Sequence, residues 1–291
     1  MNDRQKAFLS IFLYSLLGGA MAAVTKVGLS QIPPLSFAFI RFLVATVIVT
    51  PFIWKRREFF IKDLKTLGPF SVLATLNIIF FILGIKLTTA NISQILYAAV
   101  PIIAAVLTHF VLEENQSLRK ISGIVLGFIG VFLVIFLPIL EKGKFSGDLL
   151  GNFLLVLAVI SWSLYMMLSK KAQKTHSPYH IVSIFIIITA IVLSPFFLYE
   201  SISQYGWWTK INIPAILSIL YVVLAGTIAT YLLNQYSIKH GGVIFASMAF
   251  YLSPLFGFFA AFILLGEQLT PILIFGGIAT LFGVYLVTAK K

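Results

Sequence analysis

Apolar residues along this chain fall in long runs near residues 7–29, 35–54, 66–85, 90–112, 118–138, 149–169, 179–199, 213–236, 242–265 and 270–289. The hydrocarbon core of a bilayer is crossed by roughly 20 helical residues, so the pattern predicts ten membrane-spanning helices. Prolines mark the start of three of them, at Pro33–Pro34, Pro178 and Pro271, where a helix can begin but cannot continue from the one before. The first run follows MNDRQK and is 23 residues long. It exceeds a signal-peptide core and lacks a small-residue cleavage pattern, which predicts a retained first helix.

Composition removes the water-soluble alternatives. Of 291 residues, 60% are hydrophobic and 10% charged, against about 25% charged in an ordinary soluble domain. Mean hydropathy is +1.03. Ten spans consume most of the chain and leave no room for a large extramembrane domain. Net charge is +12, but the basic residues are scattered at the flanks of apolar runs, so the sequence predicts no nucleic-acid partner. There is no cysteine, hence no disulfide, thiolate or iron–sulfur chemistry.

Basic residues also orient the helices, because short cytoplasmic loops carry the excess of Lys and Arg. With the N-terminus inside, 15 of the 21 basic residues are cytoplasmic and only Lys86, Lys142, Lys144 and Lys210 lie outside. Lys26 and Arg41 fall within spans. The expected topology is multi-pass in a bacterial-type inner membrane with both termini cytoplasmic.

The chain repeats itself. At a gap-free offset of 153, Lys86 meets Lys239, Pro101 meets Pro254, Glu114 meets Glu267, Gly123 meets Gly276 and Gly130 meets Gly283. The first two spans of each half align at an offset of 144, where Lys26 meets Lys170, Pro34 meets Pro178 and Pro51 meets Pro195. This predicts two units, 1–140 and 149–291, of five helices each. Five is odd, so the second unit enters the membrane from the opposite side, and a pseudo-two-fold axis in the membrane plane relates the units. Inverted halves can present a central site to either side by rocking between two similar states. That points to transport.

Two segments carry a family resemblance. LLGEQLTPILIFGGIATLFGVYLV (Leu264 to Val287) resembles the closing motif of the EamA family of the drug/metabolite transporter superfamily, and PPLSFAFIRFLVA (Pro33 to Ala45) resembles its second helix. Two features depart from the family pattern: Gly18–Gly19 stands where Trp-Gly is usual, and Glu113–Glu114 where Gly-Glu is usual. The resemblance implies an all-α integral membrane fold of two inverted five-helix repeats and an exporter or exchanger of small metabolites, with amino acids and related carboxylate-bearing solutes as expected cargo.

Candidate site residues follow from the cost of polarity in lipid. Arg41 sits about 10 Å into its helix at 1.5 Å per residue, and its repeat counterpart is Phe185. Either it attracts an anionic solute or it fastens the first and second helices through backbone carbonyls. Lys26 is weaker, at a helix end where a long side chain reaches the interface; shared with Arg41 and Lys86, an outer vestibule would be positive. Thr227, Thr230, Tyr231 and Asn234 fall at i, i+3, i+4 and i+7 on one face. Asn77 is the repeat counterpart of Thr230, and Gln94 of Ser247. Asn91 shares the face of Gln94, while Ser247, Tyr251 and Pro254 share another. Such recurring polar positions suit a central site, although membrane helices also use them as packing contacts. Tyr97, Trp162, Tyr165 and Tyr251 offer stacking surfaces for an apolar or aromatic solute body. Pro101 and Pro254, aligned in the fourth and ninth spans, are candidate hinges.

No Walker-type GxxxxGK[ST], HExxH or GxSxG motif is present, and no ATP, metal or other cofactor is expected. His109, His176, His180 and His240 are scattered at helix ends. Two other readings stay open: a lipid or lipid-linked sugar flippase, which would use a lateral opening and a basic headgroup site, and a membrane enzyme, which would need a reactive constellation.

Overall fold

The structure, a computed structural model, describes residues 1–56, 61–88, 90–113, 115–141, 148–265 and 271–289; side chains at 53–56, 61–62, 91, 134–141, 258–265 and 271–273 are outside the description. The side chain of Asn91, and Glu114, Glu267, Lys142 and Lys144, therefore lie outside the described residues. The described elements are helical. The first span is broken into α1 (Asp3–Gly18) and α2 (Met21–Leu29), followed by α3 (Pro34–Arg56) and α4 (Ile61–Leu87). The fourth span is broken into α5 (Ala90–Tyr97) and α6 (Val100–Leu112), and α7 (Leu118–Glu141) is the fifth. The second half comprises α8 (Leu149–Ala172), α9 (Pro178–Ser203), α10 (Ile213–Val223), a π-helical segment (Leu224–Ala229) that continues into α11 (Thr230–Gly241), then α12 (Val243–Ser247), α13 (Ala249–Leu265) and α14 (Pro271–Thr288). Seven described segments have the length and apolarity to cross a membrane, and two further apolar helices are shorter.

Local chemistry sets the helix ends. Asn2 and Gln5 exchange side-chain and backbone bonds in a capping box at the start of α1. Asp148 caps α8, Ser177 caps α9 ahead of Pro178, and Asn212 caps α10. The proline-led start of α3 is satisfied from a distance: buried Glu200 of α9 accepts from the backbone of Leu35 at 3.2 Å and of Ser36 at 2.6 Å, and from the Ser36 hydroxyl at 2.8 Å. A carboxylate there also complements the positive end of the helix dipole. Gly242 at φ 87° makes the single-residue turn between α11 and α12, a conformation in which a side chain would be strained.

Packing is reciprocal in the way a two-fold axis requires. α7 packs on α14 and α3 on α9, each pair mapping onto itself, while α4 on α8 has its mate in α11 on α1. The correspondence reaches single residues. A Cβ placed on Gly123 would meet the Gly283 carbonyl oxygen at 2.8 Å, and one on Gly130 would meet the Gly276 carbonyl oxygen at 2.6 Å. These are mates, because the 153-residue offset carries 123 to 276 and 130 to 283. Likewise Gly151 lies against Thr88 just as Gly241 lies against Ala7. Without side chains at the crossing, the α7 and α14 backbones approach closely, which replaces the hydrophobic driving force that lipid removes.

This crossing yields a matched test. Gly130→Ala, whose new methyl would press on backbone, is expected to lower unfolding stability in detergent by about 1–3 kcal/mol. Gly277→Ala, whose Cβ would stand 3.7 Å from Leu255 Cδ2, is expected to leave it unchanged or raise it, alanine being the better helix former. Equal losses would show that the crossing is not backbone-close.

Candidate functional site

Breaks in the helices surround one cavity. It lies between the two halves, lined by residues of α1, α2, α3, α4, α5, α8, the π-helical segment, α11 and α13. Its volume is about 120 Å³, below the roughly 300–1,000 Å³ typical of drug-sized ligand sites. The lining is biased toward the bundle end opposite the termini, where α2 and α4 finish and α3 and α5 begin. On the termini side α8 and α11 are tied together. Gln173 donates to the Gln235 carbonyl and side-chain oxygens at 2.8 and 2.7 Å, Gln235 donates to the Tyr165 hydroxyl at 3.1 Å, and Lys170 donates to the Ile238 carbonyl at 3.0 Å.

Arg41 forms part of the wall and is 1% exposed. Its Nε donates to the Thr227 hydroxyl; its Nη2 donates to the Gly226 carbonyl at 2.9 Å and to the Tyr231 hydroxyl at 3.1 Å. The Gly226 carbonyl belongs to the π-helical segment, a feature common at functional sites. Phe42 and Tyr231 place ring faces 5.1 and 5.8 Å from the guanidinium carbon, adding cation–π attraction. Among the described residues Arg41 has no ion pair, and its Nη1 has no protein acceptor. The alternative of a fastener between the first and second spans is corrected in its partners: Arg41 joins the second span to the eighth.

The rest of the wall is aromatic with a few polar points. Asn77 donates to the Tyr97 hydroxyl at 2.7 Å and to the Ala158 carbonyl at 2.8 Å. Tyr97 stacks on Phe250 at 5.7 Å and meets Phe81 edge-on at 5.8 Å. Trp162 leans against Tyr231 at 5.6 Å. The repeat accounts for the asymmetry. Trp162 occupies the position of Gly18, and Phe185 that of Arg41; one half supplies a cation beside open space, the other supplies aromatic bulk.

Of the residues singled out from sequence, Arg41, Asn77, Gln94, Tyr97, Trp162, Thr230, Tyr231 and Pro254 line the cavity. Thr227 stands behind Arg41, and Tyr165 lies beneath Trp162 at 5.2 Å. Others do not belong to the wall. Lys26 is in the last turn of α2 and Lys86 in that of α4, where each complements a helix C-terminus, and neither lines the cavity beside Arg41. Ser247 ends α12 and turns its hydroxyl onto the Ile244 carbonyl at 2.7 Å. Tyr251 faces α7, donating to the Ile124 carbonyl at 2.8 Å. The face expected to hold Ser247, Tyr251 and Pro254 is divided by the break at Met248. Asn234 is buried below the cavity, and neither of its side-chain polar atoms has a hydrogen-bond partner among the described residues. Pro101 is not a mid-helix kink; it opens α6 after the break at Ala98–Ala99. Tyr14, Phe81, Ser93, Phe250 and Ser253 line the cavity and were missed. The phenylalanines are two of 28 and carry no distinguishing pattern, whereas Tyr14 stands one turn before Gly18. The histidines are also less scattered than expected: His176 and His180 converge on Asp63 at 3.3 and 3.4 Å.

Comparison with known proteins agrees with this architecture. The model of the EamA-like transporter family matches residues 5–136 and again 149–289. An uncharacterized transporter of Archaeoglobus fulgidus is 28% identical, with 98% of each chain covered. The uncharacterized transporter YoaV of Bacillus subtilis is 25% identical over 97% of each. A probable amino-acid metabolite efflux pump of Salmonella typhimurium is 26% identical over 98% of this chain and 95% of its own. A solved chain, described as "Crystal structure of protein", superposes with a TM-score of 0.77 at 16% identity, covering 98% of this chain and 96% of that one; it supports the fold.

The native chain lacks cysteine, so single cysteines report access directly. A membrane-impermeant thiol reagent applied from the side opposite the termini is expected to label Gln94→Cys and Ser253→Cys and to leave Ser247→Cys and Tyr251→Cys unreacted. Labelling of all four at one rate would contradict the wall described above.

Proposed function

This chain belongs to the EamA-like transporter family, and from that premise we propose that it is a secondary transporter of small carboxylate-bearing solutes with apolar or aromatic bodies, amino acids and their derivatives foremost. It is a multi-pass membrane protein, a transporter and not an enzyme. We place it in a plasma membrane of bacterial inner-membrane type with both termini cytoplasmic, because 15 of its 21 basic residues then lie inside. In that orientation the cavity faces outward and the Gln173–Gln235–Tyr165 contacts seal the cytoplasmic side.

The observation that carries the substrate reading is Arg41. A guanidinium stays charged at any physiological pH. Here it borders a cavity, is held by neutral groups, and keeps one nitrogen free of protein acceptors among the described residues. A solute carboxylate on that nitrogen would neutralise the charge in a low-dielectric wall, where charge-assisted bonds are strongest. Tyr97, Trp162 and Phe250 offer ring faces to the rest of the solute. Salmonella's probable amino-acid metabolite efflux pump is in keeping with this chemistry. Alternating access follows from the inverted halves: loosening the α8–α11 contacts while the opposite end closes would move the same cavity to the cytoplasmic side.

In proteoliposomes, Arg41→Gln is expected to raise KM for a zwitterionic aromatic amino acid about 10- to 100-fold, corresponding to one lost charge-assisted interaction, and to change KM for its uncharged amide little. Arg41→Lys should retain part of the transport. Equal losses for acid and amide would assign Arg41 to structure alone.

A further inference from the structure

A second, separate pocket lies at the termini end, outside the transport cavity. It is lined by Arg4, Asn115, Ser117, Arg119, Lys120 and His240, where the ends of α1, α7, α11 and α14 converge. Among the described residues Asp3 is the acidic group paired at its rim, with His240 at 2.9 Å and with Lys6 at 3.3 Å. Lys120 donates to Gln116 at 3.3 Å, a neutral partner. Arg4, Arg119 and Lys120 thus line one pocket at the termini end.

Below it runs an apolar groove that shares Arg4 and Phe245 with the basic pocket and continues along Phe8, Leu9 and Phe12. The groove exists because α1 and α14 both rest on α12 and α13 with space between them. Phe8, Leu9 and Phe12 are 47%, 45% and 41% exposed. A charged pocket opening onto an apolar groove has the shape of a phosphate headgroup followed by an acyl chain, and basic pockets between helix ends are known to take anionic lipid headgroups.

The inverted repeat provides an internal control on whether the fold requires these charges. At the offsets of 144 and 153, Arg4 corresponds to Asp148, His240 to Leu87, Arg119 to Ile272 and Lys120 to Leu273. None of these four counterpart positions carries a cation, so the repeat does not demand them. We propose that the corner formed by Arg4, Arg119 and Lys120 binds one anionic phospholipid of the leaflet on the termini side, with an acyl chain along Phe8, Leu9 and Phe12. This reading is independent of the solute carried.

The test is native mass spectrometry of the full chain in detergent, titrated with phosphatidylglycerol, with phosphatidylcholine of the same chains, or with soluble glycerol 3-phosphate. Phosphatidylglycerol is expected to bind at one site, tighter than phosphatidylcholine, and glycerol 3-phosphate not to compete at equal concentration. Arg119→Gln/Lys120→Gln should weaken it about fivefold for each charge removed, and Phe8→Gln should weaken it without altering headgroup preference. Lys171→Gln/Lys174→Gln, which removes the same charge from exposed positions at the same end, should bind as the native chain does. Lipid-free melting temperatures of all variants establish that each is folded. Equal affinity for the two lipids, competition by glycerol 3-phosphate, or equal losses in the two double variants would each overturn the proposal.

Discussion

A guanidinium inside a membrane protein has to be surrounded, and the way Arg41 is surrounded organises this molecule. An unpaired charge at membrane depth costs several kcal/mol by most scales. Thr227, Gly226 and Tyr231 reduce that cost with hydrogen bonds, and Phe42 and Tyr231 with ring faces. None of them cancels the charge. The π-helical segment is the backbone's share of the arrangement, since it supplies the Gly226 carbonyl that accepts from Arg41. The eighth span is thereby joined to the second, and the wall at that joint carries positive potential in an otherwise aromatic cavity.

The inverted repeat explains both the regularity of the scaffold and the irregularity of the site. Contacts that hold the bundle obey the two-fold: Gly123 with Gly283 and Gly130 with Gly276 are one contact made twice. Some that line the cavity do, as where Tyr97 stacks on its own counterpart Phe250, but those around Arg41 do not. Arg41 faces no second arginine, because Phe185 stands at its equivalent, and Trp162 fills what Gly18 leaves open. A symmetric frame gives two states of similar energy between which a transporter can rock. An asymmetric lining would, on the proposed function, give the solute a single orientation, charge toward Arg41 and body toward the rings.

How much was legible from sequence differed by level. The spans could be read because the bilayer dictates their length and composition, and proline-led helix starts such as Pro34 and Pro178 were visible. Asn77 and Thr230 were found as repeat partners because the frame is symmetric at their depth. The same logic held for Gln94, which lines the cavity, and failed for its partner Ser247: α12 ends at Ser247, where no glycine or proline marks a stop, and the side chain turns back on its own helix. Pro101 was misplaced for a related reason, since the break at Ala98–Ala99 precedes it. Tyr251 and Tyr97 are chemically identical, and only packing decides that one faces α7 and the other the cavity. The convergence of His176 and His180 on Asp63 joins the start of α4 to that of α9, a contact between distant parts of the chain that spacing along the sequence does not encode.

The central claim is that a solute carboxylate completes the coordination of Arg41. The most direct measurement is an experimental structure of the chain with an aromatic amino acid bound, at a resolution that orients the carboxylate. The account predicts a carboxylate oxygen within about 3 Å of Arg41 Nη1, with the bonds to Thr227, Gly226 and Tyr231 retained and the side chain among Tyr97, Trp162 and Phe250. A solute whose carboxylate points away from Arg41, or which binds outside this cavity, would contradict it.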